Sequence, residues 1–455
     1  MTLTILIVGG YGTFGGRLAL LLAEQAELTL IIAGRSESKA ADFITTLPQG
    51  AEKVPLAFDR AEVSEAVLRQ IGCDIVVDAS GPFQTYGEDP YRLVRASIAA
   101  GCDYLDLADS SDFVRDIVPF DDAAQAAGVF VLSGVSSFPV LTAAVLRVLS
   151  AGMTEVHTMT GGIAPSPHAG IGGNVIAAIM SYAGQPISVV RDGTPATAYA
   201  LTETRRYTIA PPGHLPLWNT RFSLVDVPDL TLIPAAVPGL KSAWMGAGTR
   251  PEFLHRALNG LSWLVRLKLV KSLSALAPLV FQVQKYVRWG EHRGGMFVEL
   301  RGATEAGPTT RSWHLAAEGS DGPLIPSMAV EAIVLKILAG QSPKPGARTA
   351  LKALELADYA KVFAGRSLVM GLRDDTAERA QQLYRRVAGD AWSRLPPAVR
   401  QMHEGRGRRI VRGRASITTG SSPLAGLMRR AMGFPEANAD VAVSVQFDEH
   451  DGVET

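Results

Sequence analysis

Over the first third of the chain, short runs of aliphatic and β-branched residues alternate with stretches whose apolar positions recur every three or four residues. Leu3 to Val8 reads as a strand, Gly9 to Gly16 as a turn, and Arg17 to Glu24 as part of a helix. Leu28 to Ala33, Lys53 to Ala57 and Asp74 to Ala79 read as further strands. Helices are expected over Glu37 to Leu47, Val63 to Ile71 and about Asp89 to Ala100, and a fifth strand follows Gly101 and Cys102 and ends near Asp109. Such alternation predicts a parallel sheet with helices on both faces, and a ligand at the carboxyl ends of its strands.

Beyond Leu132 the pattern changes. A helix is expected over Val140 to Leu149 and a strand over Glu155 to Thr160. The glycine- and proline-rich stretch Gly161 to Asn174 reads as a binding lid, and Val175 to Tyr182 as a helix. Strand-like segments then recur at Thr197 to Leu201, Arg205 to Ile209, Phe222 to Val225, Leu230 to Ile233, Phe297 to Arg301 and Arg311 to Leu315, a pattern suited to a mixed or antiparallel sheet. The expected fold class is α/β: a Rossmann, doubly wound parallel sheet in residues 1–135, then a second, α+β domain in 136–345. A well-patterned helix lies over residues 327–338 with Ser327 as its N-cap, and Gly340 to Gly346 marks a boundary. Residues 346–455 form a tail, with a helix over Ala377 to Val387, a basic run of Arg406, Arg408, Arg409, Arg412 and Arg414, and a strand over Val441 to Phe447. The chain stops soon after that strand, so the tail is expected to be an incomplete module.

One stretch breaks the second domain's pattern. Residues 253–289 interleave many leucines with Arg256, Arg266, Lys268, Lys271, Lys285 and Arg288, and include Trp263 and Trp289. Two readings stand: a pair of amphipathic core helices broken near Pro278, or a basic amphipathic surface that lies on a membrane or admits a lipid-like substrate. It is too interrupted by charge to span a bilayer.

Composition narrows the class. At 455 residues two or three domains are expected, and 44 Lys and Arg against 44 Asp and Glu leave no overall field toward nucleic acid. Cys73 and Cys102 are too few for a disulfide framework or a thiolate metal site, which suits a cytoplasmic protein without metal. The apolar start lacks a charged leader and runs straight into the first turn. His168, His214, His255 and His314 are too scattered for a metal-ligand spacing.

The chemistry is concentrated in the first turn, Gly9, Gly10, Tyr11, Gly12, Thr13, Phe14 and Gly15, where Gly10-x-Gly12-x-x-Gly15 stands between a strand and a helix. That context is the dinucleotide fingerprint, in which the helix start meets a pyrophosphate. At the tip of the second strand no carboxylate awaits the ribose. Arg35 is expected to pair with a 2′-phosphate and Ser36 to offer it a hydroxyl, which favours NADP; the plainer reading is a solvated arginine opening the next helix. Asp59 is expected either to accept from the adenine amino group or to form a turn. Ser80, Gly81, Pro82 and Phe83 follow the fourth strand, where Gly81 permits backbone approach and Phe83 offers apolar surface.

Together with Ala33 to Ser36, Tyr104 to Leu107 and Gly134 to Pro139, these motifs in their order resemble the saccharopine dehydrogenase-like oxidoreductases over the whole cofactor domain. The resemblance implies an NADP-binding domain, a nicotinamide wall at Gly81, Pro82 and Phe83, a helix over 327–338 that returns to that domain, and imine or secondary-amine chemistry. Ser136 stands where the family often carries an acid, which with the apolar insertion argues for a bulkier, less charged substrate. Trp392 to His403 resembles the start of an uncharacterised module that follows such domains.

Hydride transfer needs a proton handler, and Asp109, Tyr104 and His168 are the candidates. Asp109 reads equally as a turn cap and His168 as an exposed side chain. Three functional readings follow: an NADP(H)-dependent oxidoreductase acting on an imine, an amine or a related small molecule; a trans-acting enoyl reductase on lipid or polyketide intermediates; and a non-catalytic NADP-binding scaffold. A homodimer is the default assembly.

Overall fold

The computed structural model describes residues 2–287, 289–374, 385, 388–403, 407–418, 420, 422, 425–426, 429, 436–450 and 453–454. Arg288 and Arg406 lie outside these residues, as does nearly all of the helix expected over Ala377 to Val387. The chain divides into two compact units, Met1–Arg373 and Asp374–Thr455.

The first unit begins with β1 (Leu3–Val8), α1 (Thr13–Leu22), β2 (Leu28–Gly34), α2 (Glu37–Ile44), β3 (Glu52–Ala57), α3 (Glu65–Ile71), β4 (Ile75–Asp78), α4 (Arg92–Ala100), β5 (Asp103–Asp106), α5 (Ser111–Arg115), α6 (Asp121–Ala127), β6 (Phe130–Ser133) and α7 (Thr142–Leu149). Every strand pairing in this sheet is parallel. In β1 alternate side chains enter different cores: Ile5 and Ile7 face the cluster containing α1, Leu6 and Val8 the one containing Tyr104 and Val131. Burial on both faces explains why β1 is an unbroken apolar run rather than an alternating one.

Next come β7 (Glu155–Ala164), α8 (Gly173–Tyr182), β8 (Pro186–Arg191), β9 (Thr194–Tyr199), β10 (Thr204–Ile209), β11 (Leu217–Leu224), α9 (Asp229–Ala236), β12 (Ser242–Ala247), α10 (Glu252–Arg266), α11 (Ala277–Tyr286), β13 (Gly294–Thr304), β14 (Gly307–Ala317), α12 (Ile325–Leu338), β15 (Gly346–Thr349), α13 (Leu356–Phe363) and β16 (Leu368–Asp374). The first sheet has the order β15-β6-β5-β4-β1-β2-β3, and a second has the order β10-β11-β12-β7-β13-β14-β16. The second is mixed: β12 runs parallel to β7, whereas β13 runs antiparallel to it.

Several expectations shift. Leu230 to Ile233 is helical within α9, because Leu230 and Ile233 point into the core one helical turn apart. Gly161 and Gly162 belong to β7 rather than the loop; a Cβ on Gly162 would stand 2.9 Å from the Phe222 and Phe297 rings, so bare backbone is what fits between them. Ser327 is not the cap of α12, which starts at Ile325; its hydroxyl donates to the Phe14 carbonyl at 3.0 Å, fastening α12 to α1. The break in the 253–289 insertion spans residues 267–276, and Pro278 sits in the first turn of α11, where its missing N–H costs nothing. Residues after 345 are not yet a tail: β15 joins the first sheet and β16 the second.

In the second unit, β17 (Gly407–Ile417) pairs antiparallel with β18 (Asn438–His450), which pairs with β19 (Val453–Glu454). Arg414 of the basic run is ion-paired with Asp440 across the hairpin. No described helix is long and apolar enough to cross a membrane, and no described group of His, Cys, Asp or Glu could hold a metal.

Candidate functional site

The strand order reverses at β1, whose neighbours β2 and β4 lead to opposite edges of the sheet. A crevice opens at the carboxyl end of such a strand. Gly9 takes φ +78°, a backbone region that other residues rarely adopt, and both Gly9 and Gly10 donate to the Ala33 carbonyl at 2.9 Å. A Cβ on Gly15 would overlap the Gly9 carbonyl oxygen, so this glycine sets how closely α1 approaches the turn. Gly12 is the N-cap of α1 and supplies no side-chain cap, which leaves the first-turn N–H groups directed at the crevice. The cradle fits a dinucleotide pyrophosphate.

Beside it, the Tyr11 hydroxyl accepts from the Ser36 N–H at 3.1 Å, and its ring lies where a Cβ on Gly34 would stand, 2.5 Å away. The turn is thereby clasped to the tip of β2. Arg35 projects there, exposed and with no ion-pair partner among the described residues. Ser36 caps α2, accepting from the Lys39 N–H, and Asp59 caps the short turn after β3, accepting from the Ala61 N–H at 2.9 Å.

The wall after β4 is anchored from below. Asp78 is fully buried; one of its oxygens accepts from Arg60 at 3.1 Å, the other from the Ser80 N–H at 3.1 Å and hydroxyl at 2.6 Å. The Arg60 guanidinium lies 3.5 Å from the centre of the Tyr86 ring and also donates to the Pro90 carbonyl. Phe83 turns away from the crevice into a cluster with Tyr86 and Phe113, ring centres 4.8 and 5.1 Å away. It therefore supports the wall from behind, and Gly81 and Pro82 are its partly exposed face. The Gly81 carbonyl accepts from the Asn174 amide at 3.1 Å, which ties the wall to the start of α8.

The stretch before α8 folds onto the cradle. Arg17 of α1 donates to the carbonyls of Ala169 and Gly170 at 3.1 and 3.2 Å, and Gly172 packs so closely on Thr13 that a Cβ there would overlap the threonine hydroxyl. His168, in the same stretch, stacks on His292 at 3.6 Å and makes a 3.3 Å contact from Nε2 to the Gly290 carbonyl. That pairing holds the loop rather than aiming the imidazole at the wall.

Of the proton-handling candidates, Tyr104 is fully buried within the sheet's other core, where no substrate reaches its hydroxyl. Asp109 is different. Its carboxylate accepts from the amide of Gln84, the residue after Phe83, at 3.1 Å, and burial raises its pKa above the usual carboxylate value. Burial also raises the Tyr182 phenol, with Asp109 and Asp226 contributing further. Asp226, raised by its own burial, accepts from the Ser111 hydroxyl at 2.8 Å. Asp109, Tyr182 and Asp226 therefore form one electrostatic cluster drawn from three distant segments. Gln84, Asn174, Tyr182 and Asp226 carry no local motif, and only the fold brings them together. His255 and His314 are buried and kept neutral, their pKa values lowered by burial to about 4 and about 3.

The model of the saccharopine dehydrogenase NADP binding domain matches residues 5–132. No curated protein sequence matches the chain. Among solved structures, the apo, histidine-tagged saccharopine dehydrogenase (L-Glu forming) from Saccharomyces cerevisiae is 12% identical, with 82% of this chain and 99% of that one covered and a TM-score of 0.56. An engineered D-amino acid dehydrogenase bound to NADP+ is 16% identical over 77% of this chain and 94% of that one, TM-score 0.39. GenD2 from gentamicin A biosynthesis, in complex with NAD, is 18% identical over 68% of this chain and 72% of that one, TM-score 0.31. The chain thus carries a saccharopine dehydrogenase NADP binding domain at residues 5–132 within a saccharopine dehydrogenase-like fold, which supports a nicotinamide-dinucleotide-dependent oxidoreductase.

Proposed function

We propose that the chain is an NADP(H)-dependent oxidoreductase that moves a hydride between the coenzyme and an imine, an amine or a related small molecule held over Gly81 and Pro82. The reading is carried by the uncapped start of α1 at the switch point of the sheet, clasped by Tyr11 to a strand tip that ends in Arg35 rather than a carboxylate. A guanidinium there pairs bidentately with a 2′-phosphate and repels nothing on it; a carboxylate would. The nicotinamide, when bound, supplies or accepts the hydride.

The chain's own groups do the rest. Thr13, Phe14 and Gly15 offer their N–H groups to the pyrophosphate, and Arg17 holds the 169–172 loop over it, excluding water. Asn174 fixes the Gly81 carbonyl, which sets the plane of the wall. Asp109, with its raised carboxyl, stays protonated to higher pH than a surface aspartate, and so acts as the proton donor when the substrate is reduced. Tyr182 remains a neutral phenol beside it.

A second reading is favoured by one observation: α11, with its exposed apolar side chains, packs on α8, the helix that touches the wall. It is the reduction of a carbon–carbon double bond in a lipid or polyketide intermediate. Incubating the protein with NADPH and either an oxo acid plus an amine or an enoyl thioester separates the two by which pair consumes NADPH. Nucleotide binding with no turnover of either pair would favour a scaffold and overturn both.

A further inference from the structure

We propose that the 253–290 hairpin docks this protein on an anionic lipid bilayer, with its apolar tip in the headgroup and acyl boundary. The proposal goes beyond the redox reading and does not depend on it. Residues 253–290 contain six Lys and Arg and no Asp or Glu, in a chain whose total charge is zero. This local excess coincides with the apolar residues that the fold leaves uncovered. α10 turns His255, Ser262 and Val265 inward and leaves Phe253, Trp263 and Leu264 outside. The connection to α11 carries Leu267, Lys268, Leu269, Val270 and Lys271 in succession, all exposed, with Leu269 at 69%. From α11 onward Leu279, Tyr286 and Trp289 are exposed at 60, 78 and 65%. The core reading accounts for Leu258, Leu261, Val265, Leu273 and Val280, which pack on the core, and leaves these exposed side chains unexplained.

The chemistry of the patch selects its occupant. Leucines flanked by tryptophan, tyrosine and lysine match a bilayer interface, where aromatic rings sit at headgroup depth and lysine stems reach outward to phosphates. Arg266 already lies over the Trp263 ring at 4.4 Å, keeping a cation beside an exposed indole. A two-fold contact between copies of the chain would instead press Lys268 and Lys271 against the same lysines, with no acid in the stretch to balance them. Neither helix spans a bilayer, so the contact is peripheral. Its position has a consequence: α11 packs on α8, with Phe281 4.0 Å from a Cβ built on Gly173, next to the Asn174 that holds the wall. A docked hairpin thus places the lipid surface one helix away from the candidate site.

Cosedimentation of the full chain with vesicles of phosphatidylglycerol and phosphatidylcholine, against phosphatidylcholine alone, tests this. Binding is expected to be at least tenfold tighter to the anionic vesicles, and to weaken with salt. Lys268→Gln with Lys271→Gln should cost about fivefold per charge removed, and Leu267→Asp with Leu269→Asp should abolish binding. Both double variants alter exposed side chains, so unchanged thermal unfolding and unchanged NADPH binding serve as the folding controls. No sedimentation of the wild-type chain with anionic vesicles would overturn the proposal, as would variants that bind like wild type. A chain that dimerises in solution through Leu269, shown by loss of the dimer in the aspartate variant, and that ignores vesicles would assign the face to a second copy instead.

Discussion

Replacing Arg60 by methionine should destabilise the first unit by about 3 kcal/mol, because Asp78 then stays buried without its cation. Asp78 has no exposed side-chain surface and Arg60 retains 14%, so water supplies little in place of the lost 3.1 Å ion pair. One carboxylate oxygen keeps its bonds from Ser80 and Tyr86, while the other is left bare. Breaking a buried pair typically costs about 3–5 kcal/mol, and the bonds that survive place this case at the lower end. About 1 kcal/mol of that loss comes from the cation over the Tyr86 ring. Asp78→Asn removes the charge that made the vacancy costly, so the double variant should recover much of the loss. The assay is urea unfolding of the four proteins of the cycle, followed by circular dichroism. A coupling of about 2 kcal/mol or more is expected. A loss below about 1 kcal/mol in Arg60→Met, or strictly additive single variants, would refute the claim that this ion pair anchors the wall.

Four further outcomes follow from the same geometry. Asp109→Asn should remove the alkaline limb of the reduction profile, which in the wild type falls as pH rises through the raised Asp109 value; an unchanged pH profile would exclude Asp109 as the proton donor. Burial lifts the Asp229 carboxyl to about 7, as it does that of Asp106. The folded chain therefore holds protons that the unfolded chain releases, so each group's contribution is fully present below about pH 4 and is lost progressively up to about pH 7, by as much as about 4 kcal/mol. Asp229→Asn should reduce that slope in unfolding experiments across this window without abolishing it, because Asp106, Glu331 and Asp103 are raised into the same range. Gly15→Ala should lower stability by about 1–3 kcal/mol and weaken NADPH binding at least tenfold, since α1 has to retreat from the Gly9 carbonyl. Arg17→Ala should raise the KM for NADPH with little change in melting temperature, because its bonds tie down a surface loop.

How far the sequence speaks depends on whether a signal is local. The parallel sheet and its turn were legible because β1, β2 and β4 carry the contiguous apolar runs Ile5 to Val8, Leu30 to Ala33 and Ile75 to Val77, and the fingerprint stands within residues 9–15. Leu230 to Ile233 misled because three apolar residues and a threonine are too short a stretch to show a period of their own; only packing decides between strand and helix. Gly161 and Gly162 look like loop residues until the Phe222 and Phe297 rings occupy the space beside them. Ser327 has a cap's chemistry, yet its partner is the Phe14 carbonyl, more than 300 positions away in the chain. The same distance hides the acid cluster: Asp109, Tyr182 and Asp226 are unremarkable singly, and the fold gives them a shared environment. Tyr104 shows the reverse, a residue in a matching motif whose hydroxyl the sheet buries. In the insertion, sequence left core and surface readings open, and exposure favours the surface.

The central claim, a phosphorylated dinucleotide seated at the start of α1 beside Arg35, is tested most directly by calorimetric titration of the wild-type chain and Arg35→Ala with NADPH and NADH. The account predicts that the wild type binds NADPH at least tenfold more tightly than NADH, and that Arg35→Ala erases this preference while leaving NADH affinity unchanged. Binding of neither coenzyme, or a preference for NADPH that survives the loss of Arg35, would contradict it.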